Sequence, residues 1–161
     1  MLQLHLLRHG KAVKFTDEPS DFQRHLNKQG TAQANVLGYM LNQRNYKPDQ
    51  IIASSAVRTA QTAEIVRHHL NGPSIEYHAD LFLAERPLIL HRINKTGKGK
   101  NLLYIGHNNG ISDLVSWLTG KQTTLSTCQL AVIEFHVDDW NLISGQTGIL
   151  KEIITPDVVS F

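Results

Sequence analysis

The sequence of 161 residues contains a single cysteine, Cys128, so no disulfide bond can form within the chain. A lone cysteine fits a reducing compartment, in which thiols stay reduced. A domain of about 150 residues buries roughly 68–70% of the surface that its unfolded chain exposes. The chain is therefore long enough to be stable without disulfides or a structural metal, and we expect one domain spanning residues 1–161.

The sequence also lacks an excess of charge of one sign. It has 16 Lys and Arg residues and 14 Asp and Glu residues, so its formal net charge is only +2. Nucleic-acid-binding domains usually carry a marked basic excess, so we expect no nucleic-acid partner. No run approaches the ~20 apolar residues of a membrane span. Residues 1–15 lack the apolar region and cleavage site of a secretory signal. The sequence thus predicts a cytoplasmic protein without membrane association.

Strand-like and helix-like patterns alternate along the chain. Short apolar segments predict strands, and apolar residues at helical spacing predict helices. The predicted strands cover 2–7, 49–54, 74–78, 101–106, 130–137 and 147–154, and the predicted helices cover 31–43, 56–70, 84–93 and 111–120. This order predicts an α/β three-layer sandwich, in which helices flank a mostly parallel central sheet.

Polar residues follow three of the predicted strands. They are Arg8, His9 and Gly10 after LQLHLL, Arg58 shortly after DQIIAS, and His107 and Asn108 after NLLYIG. In open α/β sheets, ligands bind beyond the carboxyl ends of the strands. We therefore expect these residues to meet at one edge of the sheet.

The chemistry of these residues suits a phosphoryl group. The guanidinium groups of Arg8 and Arg58 match pairs of phosphate oxygens, and Gly10 has no side chain to keep an anion away. Nearby positive charge lowers the pKa of a histidine, and a neutral imidazole can attack phosphorus. We expect His9 to be the nucleophile and His107 to donate a hydrogen bond to a phosphoryl oxygen.

Three segments resemble the histidine phosphatase superfamily, which includes phosphoglycerate mutases and acid phosphatases. They are LLRHGKA, IIASSAVRTAQTAEIV and LLYIGHNNGISDLVSWLTG. Two further segments, DFQRHLNKQGTAQA (21–34) and TCQLAVIEF (127–135), resemble the SixA branch, the phosphohistidine phosphatases. The resemblance implies a phosphoglycerate mutase-like fold. It also implies that His9 takes up the phosphoryl group covalently while Arg8, Arg58 and His107 hold its oxygens.

The resemblance extends to residues beside these four. It implies that Asn108 joins Gly10 in binding phosphate. The family usually has Asn-Pro at this point, and here Asn109 replaces the proline. Thr127 resembles a threonine that precedes the family's late strand, which implies that Thr127 lines the pocket.

The sequence shows no insertion of the kind that carries a general acid in mutases and many phosphatases of the superfamily. Expelling an alkoxide from a phosphate ester needs such an acid, and Glu85, in LFLAERP, is the candidate. Imidazole, with a pKa near ~6.5, leaves far more readily. We therefore expect the substrate to be a phosphohistidine-bearing protein in signal transduction, such as a phosphotransfer domain, and the product to be phosphate.

Other functions stay open at this point. A small-molecule phosphomonoesterase would use Glu85 or a substrate proton as its acid, and a phosphoprotein-binding module would need the arginines without His9. A cysteine phosphatase is disfavoured, because the residues after Cys128 (QLAVIE) lack the arginine that would hold the phosphate. Metal catalysis is disfavoured, because His68 and His69 are adjacent and no HExxH motif is present. We expect neither a metal nor a cofactor.

Overall fold

A computed structural model describes residues 1–15 and 18–158. The strands are β1 (Leu2–Arg8), β2 (Gln50–Ser54), β3 (Ile75–His78), β4 (Asn101–Gly106), β5 (Leu130–Phe135) and β6 (Gly148–Ile154). The α-helices are α1 (Lys28–Gln43), α2 (Val57–Leu70), α3 (Arg86–Thr96) and α4 (Gly110–Thr119), and short 3₁₀ helices cover Asp21–Gln23, Ala79–Leu81 and Trp140–Leu142.

The strands form one sheet in the order β3-β2-β4-β1-β5-β6. The first four strands in this order are parallel, whereas β5 is antiparallel to β1 and to β6. Strands β2, β4 and β1 are neighbours, so their carboxyl ends lie side by side at one edge. The predicted α/β sandwich with a mostly parallel sheet is confirmed.

Helices cover both faces of the sheet because the buried strands are apolar on both sides. In β1, Leu4 and Leu6 belong to the core beneath α3 and α4, whereas Leu7 belongs to the core beneath α1 and α2. Successive strand residues point to opposite faces, and such an apolar run is typical of a parallel strand buried on both sides. None of the helices in the described part of the chain has the length and hydropathy that crossing a bilayer requires.

Two helix boundaries differ from the prediction for local reasons. Helix α1 begins at Lys28 rather than 31, because the side chain of Asn27 caps it by accepting a hydrogen bond from the Gly30 N–H at 2.8 Å. Helix α3 continues to Thr96, three residues beyond the predicted end at 93, and ends before Gly97. Helix α4 ends as predicted, at Gly120, whose φ of +70° suits glycine.

One polar side chain, that of His5, is buried within β1. It is 5% exposed and stacks on the ring of Tyr46 with 3.9 Å between centroids. Burial, assisted by the positive charge of Arg44, lowers the pKa of His5 to about 3. The folded protein therefore holds His5 neutral at pH values at which the unfolded chain protonates it.

This difference predicts a pH-dependent stability. Because His5 binds a proton less readily in the folded state, its contribution is lost as the pH falls from about 6.5 toward about 3, by up to about 1.4 kcal/mol per pH unit. His5→Leu should flatten the slope of unfolding free energy against pH between about pH 6 and 4.5, measured by urea denaturation. His68→Leu, at an exposed histidine, is the control. An unchanged slope in His5→Leu would contradict this role.

Candidate active site

Four predicted site residues meet at the carboxyl edge of the sheet. Arg8 ends β1 and His9 follows it, Arg58 lies in the first turn of α2 just after β2, and His107 follows β4. The rings of His9 and His107 are 5.2 Å apart between centroids. His9 is 7% exposed, and Arg58 and His107 are each 2% exposed. Three of the four side chains are therefore almost removed from water, whereas Arg8 is half-buried.

Hydrogen bonds define the tautomer of His9. Its Nδ1 lies 2.7 Å from the carbonyl oxygen of Gly10, which can only accept, so Nδ1 carries the proton. The Nε of Arg58 donates to Nε2 of His9 at 3.2 Å, which requires a lone pair on Nε2. His9 thus presents Nε2, unprotonated, to the centre of the site.

The guanidinium of Arg58 is held from several sides. Its Nη1 donates to the backbone carbonyl of Asp21 at 2.6 Å, and its Nη2 lies 3.4 Å from the Asp21 carboxylate. The same Nη2 is 3.5 Å from Nδ1 of His107. Asp21 belongs to the short 3₁₀ helix Asp21–Gln23, which therefore lies against the sheet edge and supplies the counter-charge of the buried arginine.

His107 is oriented by two hydroxyl groups. Its Nε2 is 2.9 Å from the Ser54 hydroxyl, at the end of β2, and 3.2 Å from the Thr59 hydroxyl, on α2. A hydroxyl either donates or accepts, so these partners suit both tautomers of the ring. In this geometry Nδ1 of His107 accepts from Arg58, so its proton is on Nε2. If that Arg58 N–H turns to a phosphoryl oxygen, the two hydroxyls can support the other tautomer, in which Nδ1 donates to the phosphoryl group.

Arg8 and Asn108 share one backbone partner. Nη1 of Arg8 donates to the Leu125 carbonyl at 3.0 Å, and Nδ2 of Asn108 donates to the same oxygen at 2.9 Å. The side-chain oxygen of Asn108 accepts a hydrogen bond from Ser112. The side chain of Asn108, expected to bind phosphate, is thus occupied by the protein itself, and it fixes the carbonyl on which Arg8 rests.

Gly10 has contacts that the sequence did not predict. Its N–H donates to the hydroxyl of Thr62 at 3.0 Å. A Cβ at this position would lie 2.8 Å from the carbonyl oxygen of Gly30. The absence of a side chain lets the β1 end and the start of α1 approach each other, which is a packing role.

The other candidate residues are Glu85, Thr127 and Cys128. Glu85 is exposed at the start of α3, in an adjacent cleft that it shares with Asn109 and Asp113, and it makes no hydrogen bond to the four central residues. Thr127 accepts a hydrogen bond from Gln33 at 3.3 Å. Cys128 is fully buried, and this burial raises the pKa of its thiol to about 12, so it carries no reactive thiolate.

A family model described as the histidine phosphatase superfamily (branch 1) matches residues 4–88. The chain belongs to the histidine phosphatase superfamily. The matched range includes Arg8, His9 and Arg58, and His107 follows it along the chain. The family predicted from the sequence is confirmed, and the chain is a phosphatase of this superfamily.

Known proteins similar to this phosphatase extend the comparison to the whole chain. A protein from Agrobacterium tumefaciens provisionally named phosphohistidine phosphatase SixA superimposes with a TM-score of 0.84 and 25% identity, over 96% of this chain and 98% of that one. Protein histidine phosphatase SixA in complex with tungstate gives 0.81 and 23%, over 96% and 97%. An uncharacterized chloroplastic protein of Arabidopsis thaliana is 26% identical, over 96% of this chain and 78% of its own length. The SixA-type structure is confirmed.

The electrostatics of this histidine phosphatase site come from burial more than from charge. Burial is the main cause that lowers the pKa of His9 to about 4; the Gly10 carbonyl opposes this shift, and the charges of Arg58 and Arg8 add to it. Burial, then His9 and Arg58, lower the pKa of His107 to about 3. From the sequence, we expected the charges of the arginines to lower the pKa of these two histidines. The direction of the shift agrees with this expectation, but the larger contribution, that of burial, was not predicted.

Asp21 and Arg24 are site residues that the sequence reasoning missed. Nε of Arg24 donates to the Asp21 carboxylate at 2.7 Å. Burial of Asp21 favours its neutral form, but the hydrogen bond and charge of Arg24 and the charge of Arg58 outweigh it and lower its pKa. The sequence carried two signals: an acid and a base three residues apart, and their place in the segment 21–34 that resembles the SixA branch. Among the described residues, no group of three or more His, Cys, Asp or Glu side chains could hold a metal ion.

The tautomer of His9 is directly measurable. Because burial lowers its pKa to about 4 and Gly10 accepts from Nδ1, His9 should stay neutral with its proton on Nδ1 from about pH 8 down to about pH 5. Nitrogen-15 NMR of the imidazole groups, assigned with a His9→Ala sample, reads both features. A proton on Nε2, or titration near pH 6.5, would contradict the geometry.

Proposed function

We propose that this histidine phosphatase hydrolyses phosphohistidine on a protein through a covalent intermediate at His9. The observation that carries the proposal is the neutral, buried His9 ring, whose proton is bound to Gly10 and whose Nε2 lies 3.2 Å from Nε of Arg58. The lone pair on Nε2 can act as a nucleophile. The neighbouring guanidinium binds phosphoryl oxygens, so it would hold phosphorus within reach of that lone pair. Neither a metal nor a cofactor takes part in the proposed reaction.

In the first step, the phosphoryl oxygens accept hydrogen bonds from Arg58, Arg8 and His107. The Arg58 N–H that now rests on His9 turns to an oxygen, and this releases the Nε2 lone pair. The substrate ring first takes a proton from solvent on its other nitrogen. Nε2 then attacks phosphorus, the bond from phosphorus to the substrate nitrogen breaks, and its electron pair stays on that nitrogen, so the ring leaves as neutral imidazole. The arginines are in place before the reaction begins, and they stabilise the charge that develops on the phosphoryl oxygens in the transition state.

In the second step, water attacks the phosphorus on His9. The bond from Nε2 to phosphorus breaks, its electron pair returns to Nε2, and phosphate leaves while the excess proton passes to solvent. The Gly10 carbonyl stabilises the intermediate, because phosphorylated His9 keeps its proton on Nδ1 and donates to that carbonyl.

The leaving group decides between phosphohistidine and an ordinary phosphate ester. An alkoxide needs a general acid beside the departing oxygen, and a carboxyl group is the usual source. Asp21 has a lowered pKa and stays ionised beside Arg58, and Glu85 lies exposed in the adjacent cleft. Asp21 is thus not suited to protonating an alkoxide, and Glu85 makes no hydrogen bond to the four central residues, whereas a phosphohistidine substrate does not depend on such an acid.

The similarity to SixA structures over nearly the full length of both chains supports a protein substrate. A phosphohistidine-bearing protein such as a phosphotransfer domain, with the enzyme in the cytoplasm, fits this proposal. A small phosphorylated metabolite is the alternative substrate, and the assay below separates the two.

The test compares hydrolysis of a phosphohistidine-bearing protein and an aryl phosphate ester in the presence of a chelator. The wild type should cleave the phosphohistidine faster, and His9→Ala should show no turnover above background. Arg58→Ala should lose about 2–4 kcal/mol of transition-state stabilisation, or roughly 30- to 900-fold in kcat/KM. His68→Ala, at an exposed histidine, is the control.

The same assay distinguishes the other functions. Faster cleavage of the ester would mean a phosphomonoesterase with an acid at work, and Glu85→Gln would then be the informative variant. Binding of the phosphoprotein without turnover would mean a binding module. Full activity in His9→Ala would overturn the mechanism.

A further inference from the structure

Two aromatic side chains, Phe82 and Phe22, flank the central cluster and take no part in the mechanism above; we call them the aromatic wall. The ring of Phe82 meets the ring of His107 edge to face, with 5.4 Å between centroids and 81° between planes. The Cζ of Arg58 lies 5.7 Å from the centroid of Phe82. Phe22 packs against Phe82 at 5.2 Å and 83°. Phe82 therefore packs against two of the three residues that would hold the phosphoryl oxygens, Arg58 and His107.

The aromatic wall stands on the outer side of the site. His9, Arg58 and His107 are nearly inaccessible to solvent, whereas Phe22 and Phe82 are only half-buried. Leu83, which follows Phe82, has φ of +52°, a left-handed conformation that residues other than glycine rarely adopt. Leu83 is itself 50% exposed, so the backbone turns at the position where one side chain faces the cluster and the next faces solvent.

The geometry of phosphoryl transfer places the leaving group on this outer side. The leaving atom lies opposite the attacking atom, roughly in line through phosphorus. His9 lies on the buried side of the site, so Nε2 attacks phosphorus from that side. The leaving group therefore extends toward the solvent side, past the side chains of Arg58 and His107. The ring of Phe82 is the apolar surface that adjoins both.

We propose that Phe82, supported by Phe22, forms a subsite for a planar aromatic leaving group. Aromatic rings pair favourably at centroid distances of about 4.5–7 Å, in offset-stacked or edge-to-face arrangements. An imidazole ring fits such a surface, whereas an acyclic amine or a sugar carbon gains little from it. This inference rests on the proposed function and deepens it, because it assigns a site to the ring of the substrate histidine.

The test uses two small P–N compounds that differ in the leaving group. N-phosphoimidazole carries a ring, and phosphoramidate does not. Phe82→Leu should lower the ratio of kcat/KM for phosphoimidazole to that for phosphoramidate by roughly three- to tenfold. Phe22→Leu should lower it less, since Phe22 acts by supporting Phe82. Phe82→Tyr keeps the ring and should preserve the wild-type ratio.

Controls separate ring recognition from support of the cluster. Leu142→Ala removes an exposed apolar side chain near the amino edge of the sheet and should keep the wild-type ratio. Inhibition by inorganic phosphate shows whether each variant still binds an anion at the site. Thermal unfolding shows whether each variant keeps the stability of the wild type.

Three outcomes would overturn the inference. An unchanged ratio in Phe82→Leu would mean that the ring does not meet the leaving group. An equal loss on both compounds, with weaker phosphate inhibition, would mean that Phe82 only supports Arg58 and His107. A wild type that cleaves neither compound nor a phosphohistidine-bearing protein would overturn the proposed function itself, and the subsite with it.

Discussion

The burial of one positive charge, that of Arg58, governs the organisation of the site. A guanidinium that is 2% exposed has lost its water and must be compensated by the protein. Asp21 supplies a carbonyl and a carboxylate, while His9 and His107 supply ring nitrogens within 3.5 Å. These contacts need both imidazoles to be neutral, and burial holds them so. The same arrangement that accommodates the charge therefore presents a nucleophile and an anion-binding group at one point.

The parallel sheet makes this arrangement possible by bringing three strand ends together. Around the cluster, ordinary protein contacts fix each group: the Leu125 carbonyl holds Arg8, the Ser54 hydroxyl holds His107, and the Gly10 carbonyl holds His9. Gly10 and Gly30 pack backbone against backbone, which ties the end of β1 to α1. Much of the motif that identifies the family thus supports the reacting groups.

The sheet and the four central residues could be predicted because apolar periodicity marks the strands and parallel strands end at a common edge. Loop geometry has no such periodicity, so the closing of Asp21 and Arg24 over Arg58 was not foreseen. The contacts of Gly10 and Asn108 depend on Gly30 and Leu125, which are distant in sequence, and their residue types alone suggested phosphate binding. Phe82 is an apolar residue, and nothing in the sequence marked it as part of the site. Its position beside His107 in the structure is what indicates a role.

The covalent intermediate at His9 is the central claim, and trapping it is the most direct test. The enzyme would be mixed for milliseconds with a ³²P-labelled phosphohistidine-bearing protein, quenched in alkali, in which histidine N–P bonds survive, and digested for peptide mapping. We expect a burst of acid-labile label on the peptide that contains His9, and no label in His9→Ala. Label on another residue, or wild-type turnover that releases phosphate with no labelled enzyme, would contradict the mechanism.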